Sequence, residues 1–149
     1  MIEFKRTPSD NSDFIFLNKM LDKELTIRDG DEHAFFDQYN KLDSINHIIL
    51  AYHNGSAVGC GAIKKIDDEK VEIKRMFVLP EARGKKIASQ VLAELENWAR
   101  ELGYKQCILE TGASFKDAIG LYLKSGFDIT ENYGQYAGVK SSVCFNKFL

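Results

Sequence analysis

Proline and cysteine are scarce in this sequence, and both shortages restrict what the chain can be. The 149 residues include two prolines, Pro8 and Pro80, and no run rich in glycine, serine or proline marks a linker. The three cysteines are an odd number without CxxC spacing, which argues against a disulfide framework or a zinc site. We therefore expect a single domain over residues 1–149, no metal, and a reducing, cytoplasmic environment.

The sequence also lacks a long apolar run and a strong net charge. No stretch approaches the roughly 18 apolar residues of a membrane helix, and the first residues lack the apolar core of a signal peptide. The 20 basic and 22 acidic residues give a formal charge of -2, so no global field attracts nucleic acid or anionic lipid. We expect neither nucleic acid nor membrane as a partner, and any phosphate-binding site must be local.

Hydrophobic periodicity predicts a mixed α/β fold. Alternating or continuous apolar runs predict strands over residues 2–6, 47–52, 57–64, 71–78, 107–111, 127–131 and 142–148. Apolar residues that recur every three or four positions predict helices over residues 14–25, 32–42, 87–102 and 115–124. The strand, helix and strand within 71–111 form a βαβ unit, which implies a parallel strand pair with a right-handed crossover.

The segment between the strand over 71–78 and the next helix carries the clearest binding signal. Residues 83–88, RGKKIA, place backbone N–H groups and positive charge at a helix N-terminus, where the helix dipole favours an anion. Gly84 lets the backbone approach a ligand, while Lys85 and Lys86 add mobile charge suited to an outer phosphate. The pattern fits a pyrophosphate; the alternative is an ordinary solvated helix start.

This segment resembles motif A of the GNAT acyltransferase superfamily. The pattern Q/RxxGxG/A aligns with Arg83, Lys86 and Ala88, with Lys86 at a position where glycine is usual. A second stretch, AIGLYLKSGF over 118–127, resembles the family's motif B. The predicted order of strands and helices also matches the family's fold, so the resemblance covers nearly the whole chain.

The resemblance implies a GNAT-like mixed central sheet of about seven strands flanked by about four helices. It implies an N-acetyltransferase that moves an acetyl group from acetyl-CoA, as co-substrate, directly to a primary amine of a small molecule in a ternary complex. Phe115 departs from the family, where a polar residue is frequent, and predicts one missing contact to the pantetheine arm. The cofactor-binding residues implied are Met76, Phe77, Val78, Arg83, Gly84, Lys85, Lys86, Ile87 and Ala88.

Acyl transfer to an amine requires a base for the ammonium and an acid for the departing thiolate. By resemblance Tyr122 is the general acid, although its helical spacing also fits a core aromatic. Glu72 alternates with two apolar residues and points to the opposite face of its strand, so it is our candidate base, with Glu110 as the rival. Cys107 and Cys144 fall in predicted strands and fit buried apolar groups, which favours direct transfer over an acyl-thiol intermediate.

Substrate choice and assembly are less constrained by the sequence. Tyr133 and Tyr136, together with residues 22–36, are candidates for the acceptor pocket, with a plain aromatic cluster as the alternative. The apolar last strand predicts a homodimer through pairing or exchange of C-terminal strands.

Alternative functions are a non-catalytic acyl-CoA sensor and acetylation of a protein N-terminus or lysine. A nucleotide-binding α/β protein is disfavoured because the sequence lacks GxxxxGK[ST] and GxGxxG.

Overall fold

The computed structural model describes residues 1–39 and 45–149, and these form a seven-stranded mixed sheet with helices on both faces. The strands are β1 (Ile2–Thr7), β2 (His47–His53), β3 (Ser56–Lys65), β4 (Lys70–Val78), β5 (Gln106–Gly112), β6 (Asp128–Thr130) and β7 (Ser142–Phe148). The helices are α1 (Ser12–Asp29), α2 (His33–Asp37), α3 (Ile87–Glu101) and α4 (Lys116–Lys124). The predicted α/β class is confirmed. None of these helices combines the length and apolarity that a membrane span requires.

The strand order explains where the sheet opens. The order is β1-β2-β3-β4-β5-β7-β6, and every neighbouring pair is antiparallel except β4 and β5. The predicted parallel pairing of β4 and β5 is confirmed, but it covers only residues 70–72 against 106–108. Beyond Glu72 and Ile108 the two strands are no longer paired, and the second halves of both border a cleft.

The two faces of the sheet bury separate apolar clusters. In β2, Ile48 packs toward α1 whereas Ile49 packs toward α3, as the period-two alternation of a strand requires. α3 contributes a stripe that recurs every three or four positions. Its completely buried members are Val91, Leu92, Leu95 and Ala99. Packing on both faces makes the central strands a rigid frame for the site residues.

β4 contains a β-bulge in its second half. Cys60 of β3 pairs with Phe77, and Ala62 pairs with Lys74, so two residues of β4 lie opposite one residue of β3. The residue of β3 at this point is Gly61. A Cβ atom there would lie 2.6 Å from the sulfur of Met76, 2.8 Å from Leu95 and 2.9 Å from Val91, so any larger residue would force these side chains to shift.

Helix α1 has a defined start and stop that place its last turn beside the cleft. The Asn11 side chain accepts hydrogen bonds from the N–H groups of Asp13 (2.8 Å) and Phe14 (3.3 Å), which caps the helix. Gly30, with φ +56°, ends it. Both Phe14 and Phe16 belong to the apolar residues of the predicted helix over 14–25. Phe14 is completely buried but Phe16 is 54% exposed, so the buried face of α1 is narrower than the distribution of apolar residues suggests.

The single helix predicted over residues 32–42 is corrected by the structure. A 3-10 turn at Gly30–Glu32 precedes α2, which ends at Asp37. The N–H of Tyr39 bonds to the carbonyl of Phe36 at 3.0 Å, an i to i+3 bond that closes a turn and does not continue an α-helix. Leu42, part of the predicted stripe, lies outside the described residues.

The last strand, β7, is not an edge of the sheet. It pairs with β5 over seven residues and with β6 over three. β6 covers residues 144–146 of β7, which limits the free edge that this strand offers to a second copy. The dimer through pairing or exchange of C-terminal strands stays a prediction.

Candidate functional site

A cavity of about 870 Å³ lies where β4 and β5 separate. It is bordered by the end of α1, β4, the loop into α3, β5, and α4. Of the predicted cofactor-binding residues, Lys85 is exposed and lies outside the cavity wall formed by the described residues. The predicted residues that line the cavity are Glu72, Met76, Phe77, Val78, Arg83, Gly84, Lys86, Ile87, Ala88 and Tyr122.

One end of the cavity is formed by the loop before α3. Gly84 (φ +83°) and Lys86 (φ +63°) both adopt the left-handed conformation that glycine adopts most readily. Among the described residues, no side chain accepts a hydrogen bond from the first N–H groups of α3. Uncapped N–H groups beside the cationic Lys86 suit an anion such as a pyrophosphate.

The side chain of Arg83 is used to hold this loop in place. Its Nε donates to the carbonyl oxygen of Val78 at 2.9 Å, and its Nη2 donates to Oε1 of Glu24 at 2.8 Å. The guanidinium also lies 5.6 Å from the centre of the Phe77 ring. Arg83 thus ties the loop to β4 and α1, which leaves the loop backbone and Lys86 to meet an anion.

At the other end of the cavity, Glu72 is buried and fully engaged. Its side chain is 5% exposed, and Oε1 lies 3.2 Å from Nζ of Lys74. Its Oε2 accepts a hydrogen bond of 2.5 Å from the hydroxyl of Tyr133. Glu72 faces the cavity as its alternation in β4 predicted, but both of its oxygens already have partners.

Glu110 on β5 lines the same part of the cavity with fewer partners. Its Oε2 accepts a hydrogen bond of 2.6 Å from the hydroxyl of Ser142 on β7. Burial raises the pKa of Glu110 to about 7; the charges of Asp29 and Glu72 act in the same direction, and Ser142 and Lys74 oppose them. A carboxyl group with this pKa gains and loses its proton near neutral pH, as a general base must.

Tyr122 combines a core position with access to the cavity. Its ring packs against Phe127 and Phe145, with centroids 5.9 and 5.6 Å away, and the residue is 6% exposed. Burial raises the pKa of Tyr122 well above its ordinary value, and the charges of Glu110 and Asp117 add to this. The phenol therefore carries its proton at neutral pH. Both sequence interpretations of this ring, packing and proton donation, fit its position.

Aromatic and charged groups from α1, α2 and the loop before β7 complete the walls. Phe36 and Tyr136 line the cavity, and Tyr136 packs edge-to-face on Tyr133 at 5.7 Å. Arg28 lies 4.0 Å from the centre of the Phe115 ring and donates to Asp117 at 2.9 Å, which joins α1 to α4. The predicted acceptor segment 22–36 and Tyr136 thus reach the cavity. Tyr133 contacts Glu72, which lines the cavity, through its hydroxyl group.

Sequence reasoning missed three residues of the site, namely Lys74, Arg75 and Ser142. Lys74 had a usable signal, because it lies two positions after Glu72 and so shares its face of β4. Ser142 had none, since its contact with Glu110 depends on the register of two strands that are distant in sequence. The three cysteines are buried and unpaired, in agreement with the prediction that Cys107 and Cys144 are small apolar groups.

Comparison with known proteins places these features in a family context. The model of the acetyltransferase (GNAT) family matches residues 15–127. An IAA acetyltransferase of Azospirillum brasilense is 43% identical over 90 residues, which cover 59% of this chain and 58% of that protein. An aminoalkylphosphonate N-acetyltransferase of Salmonella typhimurium is 33% identical over 132 residues, 84% of each chain. The matches span 58% and 65% of the first two curated relatives, so less than two thirds of their length.

Solved structures share the architecture over the full chain. A crystal structure assigned to an acyl-CoA N-acyltransferase from Klebsiella pneumoniae superimposes with a TM-score of 0.83 at 27% identity, covering 100% of this chain and 98% of that one. A GNAT family acetyltransferase from Elizabethkingia anophelis with acetyl-CoA bound gives 0.73 at 24% identity, covering 99% and 98%. At 24% identity, the likeness to the Elizabethkingia anophelis protein shows a shared fold and nothing more.

Proposed function

This chain belongs to the acetyltransferase (GNAT) family, and on that premise we propose that it transfers an acetyl group from acetyl-CoA to a primary amine of a small molecule. Transfer is direct, in a ternary complex. One observation carries the proposal: a single cavity joins an uncapped, basic helix start to a half-buried carboxyl group whose pKa is about 7. The relative named for an aminoalkylphosphonate and the neighbour that holds acetyl-CoA support it.

The donor end of the cavity is suited to coenzyme A. Backbone N–H groups at the start of α3 and the charge of Lys86 would bind the pyrophosphate. Residues 76–78 border the cavity beyond the last ladder pair of β4 with β5, so their backbone groups on that edge are available to the thioester arm, apart from the Val78 carbonyl that Arg83 holds. Bound acetyl-CoA supplies the acyl thioester, and these residues hold and orient it.

Glu110 is the better general base of the two carboxylates. It accepts the proton of the incoming ammonium, so that the neutral amine attacks the carbonyl carbon and a C–N bond forms as the C–S bond breaks. Tyr122, protonated at neutral pH, donates its proton to the leaving sulfur, and the second proton of the amine, released as the amide forms, restores the phenol. Glu72 is the second candidate base, but Lys74 or Tyr133 would first have to release it.

The acceptor enters on the side of α1, α2 and the loop before β7. Phe36 and Tyr136 provide apolar walls there, and the buried Asp29 side chain adds negative charge that favours a cationic amine. The cavity must hold both the acyl arm and the acceptor in about 870 Å³, which favours a small molecule over a folded protein.

The test is an acceptor screen with the purified chain and acetyl-CoA. We expect release of coenzyme A thiol that depends on the added amine, with an equal amount of acetylated product by mass spectrometry. Tight acetyl-CoA binding without turnover on any amine or peptide would favour the sensor function. Turnover restricted to peptides would favour acetylation of a protein N-terminus or lysine.

A further inference from the structure

The bulge residue Arg75 has a backbone conformation that its own side chain disfavours. Its φ is +57°, and the other non-glycine residues with positive φ in the described part of the chain, Asn54 and Lys86, lie in exposed turns. Arg75 instead lies within a central strand and is 6% exposed. A left-handed residue with a Cβ atom persists only where its surroundings determine it, so other groups must hold Arg75 in place.

Side chains of helix α1 hold Arg75 in place. Nε of Arg75 donates to Oδ1 of Asn18 and Nη2 donates to Oδ1 of Asp22, both at 2.6 Å. Asn18 and Asp22 are four residues apart and therefore share one face of the helix. The guanidinium is planar and rigid, so two directed bonds fix its orientation. A third contact, from the thiol of Cys60 to the carbonyl of Arg75 at 3.3 Å, holds the backbone itself.

The bulge decides how the next three residues meet the cavity. It adds one residue to β4, which reverses the side-chain alternation, so that Phe77 packs toward α1 while Val78 faces the cluster under α3. The β3 ladder skips Arg75 and Met76, and the pairing with β5 has already ended at Glu72. The ladder with β3 resumes at Phe77 and Val78, so the bulge sets the register in which residues 76–78 border the cavity.

We propose that Arg75 is a positioning residue, which clamps the β4 bulge to α1 and thereby sets the backbone of residues 76–78 against the acyl group of acetyl-CoA. The assignment of residues 76–78 to the acyl group rests on the proposed function. The clamp also connects the two substrates, because the last turn of the same helix borders the acceptor side of the cavity through Leu25 and Asp29.

Arg75→Gly separates the clamp from the backbone strain. Glycine adopts a φ of +57° without steric cost, so this variant removes the guanidinium without adding backbone strain. We expect kcat to fall about 100-fold because the reacting groups are misplaced. The affinity and stoichiometry for free coenzyme A, which depend on the α3 loop, should stay within about twofold.

Two further variants should lower kcat by less than Arg75→Gly does. Arg75→Lys keeps the charge but not the planar fork, and should lie between wild type and Arg75→Gly. Asp22→Asn is a mild change at a side chain that is 47% exposed, and should lower kcat about three- to tenfold. The matched control is Arg6→Ala, which removes an arginine–glutamate pair with Glu101 far from the bulge and should leave kcat unchanged.

Hydrogen exchange of the free protein tests the clamp without any turnover. In Arg75→Gly, amides 76–78 should exchange about tenfold faster while those of α3 keep their wild-type rates. Unchanged exchange, unchanged kcat, or a parallel loss of kcat and coenzyme A stoichiometry would overturn the inference. If the wild type transfers no acetyl group, the proposed function fails, and the exchange rates still decide whether Arg75 positions residues 76–78.

Discussion

The two ends of the cavity are built in different ways. The end proposed to bind the acyl donor comes from one continuous segment, residues 76–88, which offers backbone groups and an exposed cation. The end proposed to bind the acceptor gathers side chains from separate elements, among them the buried Glu72 and Tyr136 and the half-buried Glu110. Binding by a backbone tolerates side-chain changes, whereas buried ionisable groups lose their function when a single atom changes. Side-chain substitutions should therefore cost most at the acceptor end.

The largest effect is expected for Glu110→Gln. It removes the general base and should lower kcat about 100- to 1,000-fold, while acetyl-CoA affinity is unchanged. Because the base acts when deprotonated, wild-type kcat should rise with pH through the pKa of Glu110, about 7, and this limb should be absent in the variant. A pH profile of kcat measures both.

Glu131→Gln, at an exposed position, is the control for that substitution. Glu72→Gln tests Glu72, the second candidate base. If the limb near pH 7 disappears in Glu72→Gln and persists in Glu110→Gln, the base assignment is wrong.

Glu110→Gln should also change stability: the substitution that lowers kcat should make the folded protein more stable. Glu110 has a folded-state pKa of about 7 against an ordinary value of 4.5, so it favours folding at low pH and this contribution is lost as pH rises through 7. At pH 8, Glu110→Gln should therefore be more stable than wild type by about 2–3 kcal/mol. Denaturant unfolding at pH 5 and pH 8 measures this, and an equal stability change at both would contradict it.

A smaller loss of kcat is expected for Tyr122→Phe than for Glu110→Gln. The phenyl ring keeps the packing on Phe127 and Phe145, so thermal stability and coenzyme A affinity should be retained. Loss of the proton donor should lower kcat roughly 10- to 100-fold. Tyr104→Phe, a partly buried tyrosine outside the cavity wall, is the control. An unchanged kcat with intact binding would leave Tyr122 a packing role only.

The smallest effect is expected at the donor end, for Lys86→Gly. Glycine suits the φ of +63° at this position, so stability should change by less than about 1 kcal/mol. Loss of one exposed charge should raise the KM for acetyl-CoA about threefold, and less so at high salt. A large fall in kcat at unchanged KM would show that this end also depends on a particular side chain, against the comparison drawn above.

The same contrast explains which parts of the molecule were predictable. The loop proposed to bind phosphate, the crossover through α3 and most element boundaries follow from contiguous patterns. The bulge does not: strict alternation from Val71 and Ile73 would place Arg75 on the α3 face, whereas the extra residue sends it to α1. Contacts such as Ser142 with Glu110 depend on strand register, which local sequence does not specify.

Among the described strands β7 is the last to be synthesised, although it lies between β5 and β6. While a ribosome is still producing it, the edge of β5 that carries Glu110 has no partner, and Ser142 is not yet available to that carboxyl group. The segment with the loop proposed to bind acetyl-CoA leaves the ribosome roughly 50 residues earlier, but a domain folds as a unit. The carboxyl group that we propose as the base therefore reaches its hydrogen-bonded position only when the last strand has joined the sheet.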